Sequence, residues 1–125
     1  MKIKIQKLIK ALLNLHKELL GIERERYESK NGKITDSNNF FNLVVNNEDF
    51  KWLRSLSSII SLIDEESEQD NIDQKKIKKL LNELNEMLSG KIETFFLKYK
   101  VELLENEKIA KLNNLVKKEI ENIRF

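Results

Sequence analysis

The chain has no proline and no cysteine, and only three glycines in 125 residues. Each shortage excludes something. Without proline, no helix is interrupted by a missing backbone donor. So little glycine leaves scant turn material for a sheet. Without cysteine there are no disulfides and no thiolate metal site, which suits a reducing cytosol. Long apolar runs are missing too, since no stretch approaches the roughly 20 residues of a membrane span. The start, MKIKIQKLIKALLNL, is basic like a signal peptide. Lys7 and Lys10 break its apolar run, however, and no small-residue cleavage site follows. A cytoplasmic protein with no membrane span is expected.

What is present describes a globular chain of one-domain size, with 40% hydrophobic and 35% charged residues. The net charge is +2, from 23 basic and 21 acidic residues. The basic clusters Lys75-Lys76, Lys78-Lys79 and Lys117-Lys118 are interleaved with glutamate or followed closely by it. A nucleic-acid binder concentrates its cations on one face. No specific nucleic-acid binding is therefore expected. Abundant Lys, Asn and Ile also fit an AT-rich genome, so individual lysines carry little functional weight.

Periodicity predicts helices throughout. Ile5, Leu8, Leu12, Leu15, Leu19 and Ile22 step by threes and fours, as a buried helix stripe does. A second row runs beside it through Ile9, Leu13, His16, Leu20, Glu23 and Tyr27. One long helix over about residues 3–30 follows, ended by Asn31-Gly32. Asp36 or Ser37 can cap a short helix over Phe40 to Val45. A third helix is expected over about Glu48 to Glu66. A fourth begins at a capping box of Asn71 with Gln74 and stops at Ser89-Gly90. A fifth runs from about Lys91 to Glu105, and Asn106 caps a sixth with Ile109, Leu112, Leu115 or Val116, Ile120 and Ile123 inward. The short connections favour antiparallel neighbours. The predicted fold is all-α, a single-domain antiparallel bundle of five or six helices.

The candidate site is the polar row His16, Glu23 and Tyr27, with Asp49, Trp52 and Arg54 as partners on the third helix. Antiparallel packing of helices one and three brings Glu23 and Tyr27 towards Asp49 and Trp52. Arg54 to Glu23 is then a plausible ion pair, and the middle of helix one approaches Ser57 and Asp64. Buried polar side chains find partners, so His16 and Tyr27 are expected to hydrogen-bond across to helix three. Asp64 lies near a helix end and is expected at the surface.

A metal site fares poorly on this residue set. His16 and Glu23 lie two turns apart, about 10 Å along the axis. A di-iron bundle needs a Glu-x-x-His motif on two helices, and the chain has one histidine and no such motif. Nor does any nucleophile elbow or phosphate-cradling glycine loop occur. No cofactor, no metal and no catalytic residue are expected. Gly21 is out of place inside a helix, and close approach of another helix offers one reason for it. Phe40-Phe41, Phe50, Trp52 and Phe95-Phe96 exceed what simple stripes need, since adjacent residues cannot share one face. One of each pair can extend an apolar surface for a partner helix or a second copy of the chain. The basic, amphipathic N-terminus suits an anionic membrane surface, but it runs unbroken into the core stripe.

Leu15-His16-Lys17, Glu23-Arg24, Arg26-Tyr27-Glu28 and Gly32 are followed by Asp49, Phe50, Trp52-Leu53-Arg54, Leu56-Ser57 and Ile63-Asp64-Glu65. This pattern resembles a family of small bacterial all-helical proteins to which no activity is attached. The likeness covers the first half well and the second half only as helical pattern. It implies no catalytic residues, and it implies that the His/Glu/Tyr row and the Trp-Leu-Arg block belong together. The expected function is a protein-interaction or structural module, with a protein partner or a homo-oligomer. The alternative is a small-ligand or metal-binding bundle built on the His16, Glu23 and Tyr27 row.

Overall fold

The computed structural model describes residues 1–123. Among them are six α-helices and no strand, so the fold is an all-α bundle. The first helix, α1, spans Lys2–Asn31 and stops at Gly32, whose φ of 87° is open to glycine and strained for other residues. A short α2 covers Ser37–Asn46, with Asp36 at its N-cap accepting from the Asn39 N–H at 2.8 Å. A single 3-10 turn, Glu48–Phe50, leads into α3, Lys51–Ser67. Then follow α4 (Gln74–Ser89), α5 (Glu93–Glu105) and α6 (Glu107–Asn122).

Several expected boundaries shift. The third helix opens as a 3-10 turn because the Asn47 side chain accepts from the Asp49 N–H and tightens the entry. Asp73 caps α4, taking the Lys75 and Lys76 N–H groups, so the Asn71 and Gln74 box does not form. The fifth helix starts at Glu93, two residues late. Lys91 N–H is still engaged with the Glu86 carbonyl in the turn closed by left-handed Gly90. A Cβ at Gly90 would meet the Phe96 ring at 3.3 Å, a tight contact that adds to the backbone's need for glycine there. Asn106 both ends α5 and caps α6, which makes the last two helices a hairpin with a one-residue corner.

Helix α1 is the axis of the bundle, with α3 and α6 as its main neighbours. Tyr27 packs on Phe50 and Glu23 bonds Trp52, so the end of α1 meets the start of α3 and the two run antiparallel. Ile5, Leu8, Leu12, Leu15 and Leu19 are fully buried in one contiguous core, which they share with apolar residues of α3, α4, α5 and α6. Each such side chain contributes about 1.5–3 kcal/mol by leaving water. The second row of α1 is only partly inward. Ile9 and Glu23 are buried, His16, Leu20 and Tyr27 are half-buried, and Leu13 is exposed, because neighbours cover one side of the helix and leave its back to solvent. On α6 the choice falls to Val116, which is buried, while Leu115 is exposed.

Gly21 lies on that open back. It is exposed, and nothing comes within 4 Å of where its Cβ would be, so close helix approach does not explain it. Of the aromatics, Phe50, Trp52 and Phe95 are buried, Phe40 and Phe96 are half-buried, and Phe41 points out. The short loops and turns let α2 and α4 cover faces that simple stripes leave open.

Candidate functional site

Glu23 is the most unusual residue of the interior, a carboxylate only 3% exposed on the core face of α1. It is there because it falls two turns below His16 on the same row, and what it meets is Trp52. The indole Nε1–H of Trp52 donates to Glu23 Oε1 at 3.1 Å, and Arg26 Nη1 donates to the same oxygen, also at 3.1 Å. The other arm of the guanidinium, Nη2, donates to Glu102 Oε1 on α5. Glu102 is itself 4% exposed. One arginine therefore bridges two buried carboxylates from different helices. Burial works against the Arg26 cation. The hydrogen bond and charge of Glu102, with those of Glu23 behind them, outweigh it and raise its pKa.

Helices α3, α5 and α6 carry the chain of contacts onward. Trp52 and Phe95 rings lie 5.4 Å apart, and Phe95 and Tyr99 5.0 Å apart. The Tyr99 hydroxyl donates to Asn113 Oδ1 on α6 at 2.7 Å, and burial pushes the phenol well above its ordinary pKa. The result is a belt through α1, α3, α5 and α6, half ionic and half aromatic. No buried side-chain nitrogen or oxygen among the described residues lacks a partner. Such a belt specifies register: a helix sliding by one turn leaves Glu23 or Glu102 buried without its partner, which is costly.

The other expected members of the site fall elsewhere. Arg54 does not pair with Glu23. Its Nε donates to the Val44 carbonyl at 3.0 Å and its Nη2 to the Asn47 carbonyl, which holds the end of α2. Asp49 is exposed in the 3-10 turn. Ser57 donates to the Arg54 carbonyl of its own helix rather than to His16. Among the described residues, neither the His16 ring nor the Tyr27 hydroxyl makes a side-chain hydrogen bond across to α3. His16 is half-buried, and burial holds it below the usual 6.5. Tyr27 rests on Phe50 and lines an open cleft of about 520 Å³ at the α1–α2 corner, where Asn31, Asn39, Asn42, Asn46 and Asn47 join Lys33 in the polar lining. Asp64 is at the surface.

Arg26, Glu102, Tyr99 and Asn113 complete the belt, and the sequence pattern marks none of the four as a site residue. The pattern held a trace of them. Phe95, Tyr99 and Glu102 follow at steps of four and three, which puts a carboxylate on the inner row of α5. Asn113 likewise falls between Ile109 and Val116 on the inner row of α6. Among the described residues no group of three or more His, Asp or Glu side chains is arranged to hold a metal ion. No described helix is long and apolar enough to cross a membrane. Opposite the belt, the outer face of α5 is apolar: Leu97, Val101 and Leu104 are 60%, 37% and 80% exposed. Compared with protein-family models, curated proteins and solved structures, the chain matches none.

Proposed function

We propose that the chain is a non-enzymatic cytoplasmic interaction module that pairs with a second copy of itself through the outer face of α5. The observation that carries this reading is the exposed stripe Leu97, Val101 and Leu104. At 3.6 residues per turn these three fall within about 60° of arc, on the side of α5 away from its buried Phe95, Tyr99 and Glu102. A stripe this regular in a chain with 35% charged residues calls for a cover.

A copy of the same helix, laid antiparallel about a two-fold axis, supplies one. Leu97 then faces Leu104 of the copy, and Val101 meets its own symmetry mate. On one flank Lys98 comes within a turn of the copy's Glu105, giving two equivalent ion pairs. On the other flank the two Lys100 side chains approach each other, and their long stems let the charges turn out to solvent. Three side chains cover far less than the roughly 800 Å² per partner of a standard interface. The pair is therefore weak and concentration-dependent. The absence of cysteine supports the cytoplasmic assignment, and the near-balance of charge argues against nucleic acid as the partner.

The absence of native cysteine also makes the test clean. Val101→Cys places the only thiol of each chain at the two-fold axis, so mild oxidation should give a covalent dimer. Leu97→Cys and Leu104→Cys should cross-link with each other in a mixture but poorly with themselves. Equal cross-linking of all three single variants, or none by Val101→Cys, contradicts the pairing.

A further inference from the structure

The geometry points to a binding site for a small aromatic monocarboxylate in the cleft between the start of α3 and the start of α5. The cleft holds about 410 Å³, within the range of small-molecule pockets. Trp52 and Phe95 lie at its base, 7% and 1% exposed, so the ring surface open to a ligand is small and belongs mainly to Trp52. Ser55 and Thr94 stand on its walls, and Lys51, Lys98 and Glu48 at its mouth.

The chemistry of the mouth selects the ligand. Two cations against one anion leave it positive. Neither Lys51 nor Lys98 has an ion-pair partner among the described residues, although Glu48 stands beside them. The Thr94 hydroxyl makes no hydrogen bond among the described residues and can donate to a carboxylate, whereas the Ser55 hydroxyl is spent on the Trp52 carbonyl at 2.9 Å. An apolar body on the floor with a single anionic head at the mouth satisfies both ends. The floor is also rigid in advance, because the indole N–H of Trp52 is tied to Glu23 and Phe95 is wedged, tilted, between Trp52 and Tyr99. Binding there orders no floor side chain, which removes one of the usual costs.

The two larger clefts lack this polarity. The α1–α2 corner is open and sets five asparagines and the single cation Lys33 around it. The α3–α4 corner, about 740 Å³, sets Glu65, Glu66, Asp73 and Glu83 against only Lys76 and Lys79.

Trp52 is the only tryptophan in the chain, so its fluorescence reports on this cleft and on the belt it shares with Glu23. The test is a titration of the full chain with 4-phenylbutyrate, and in parallel with the uncharged 4-phenylbutanol, at protein concentrations low enough to keep it monomeric. Lys51→Glu reverses one mouth charge without touching the α5 stripe, and Lys111→Glu, on α6, is the control for charge alone. Circular dichroism checks that both variants are folded. The result expected is a saturable change in Trp52 emission with phenylbutyrate, weakened roughly tenfold or more by Lys51→Glu, unchanged by Lys111→Glu, and weaker by a similar factor for the alcohol. The site is overturned by the absence of a saturable change. Equal affinity for the alcohol, or for folded Lys51→Glu, overturns it as well.

Discussion

Arg26 holds two buried carboxylates with one guanidinium, and its removal leaves both without their cation. Arg26→Met should cost about 2 kcal/mol in a urea titration, less than the roughly 3–5 kcal/mol for breaking a fully buried pair, because Arg26 is 44% exposed and water can reach the vacated site. A loss below about 0.5 kcal/mol would show that Glu23 and Glu102 do not depend on it. Gly21 predicts the opposite sign. It stands in mid-helix, exposed, with no neighbour to clash, so Gly21→Ala should add about 1 kcal/mol and raise the melting temperature. His16 adds a pH dependence. Its pKa in the fold lies below 6.5, so below that pH the unfolded chain binds a proton that the folded chain resists. Stability is whole above pH 6.5 and falls as pH drops through it, and His16→Gln should remove that fall. A fall that persists in His16→Gln would remove His16 as its source. Residue identities inside the belt were only half legible beforehand. Glu23 and Trp52 could be paired from antiparallel packing alone. Antiparallel packing points Arg54 at Glu23, yet Arg26, three residues along the same helix and at ordinary pairing distance, reaches it first.

At the scale of elements, α2 differs from the rest. It has no buried residue, and it is held by Arg54 on two carbonyls, by the Phe40–Phe50 edge contact and by Arg24 stacked 4.5 Å over Phe40. Few apolar contacts mean a low local opening energy. In hydrogen exchange, the α2 amides should exchange well before those of α1 and α3, and Arg54→Ala should speed α2 selectively. Protection of α2 equal to that of α1 would show a tighter dock than these contacts provide. The long helices were readable because three-and-four stripes of leucine and isoleucine report a buried face directly. Their ends were less so. Asp73 and Asn71 are equally good caps by type, and only the backbone path after α3 decides that Asp73 takes the free N–H groups.

The whole molecule joins two faces of one helix. The inner face of α5 carries Phe95, Tyr99 and Glu102 into the belt, and its outer face carries Leu97, Val101 and Leu104 into solvent. The inner row could be seen in the sequence through its aromatics. The outer row could not be separated from it, because a helix with apolar residues on both sides gives no single stripe and only its neighbours decide which side is covered. Self-pairing across that outer row is the central claim, and sedimentation equilibrium of the unmodified chain and of Leu104→Glu tests it most directly. The chain should shift from monomer towards dimer as its concentration rises, and Leu104→Glu, folded to the same extent, should stay monomeric throughout. A monomer at every concentration, or a dimer that Leu104→Glu leaves intact, contradicts it.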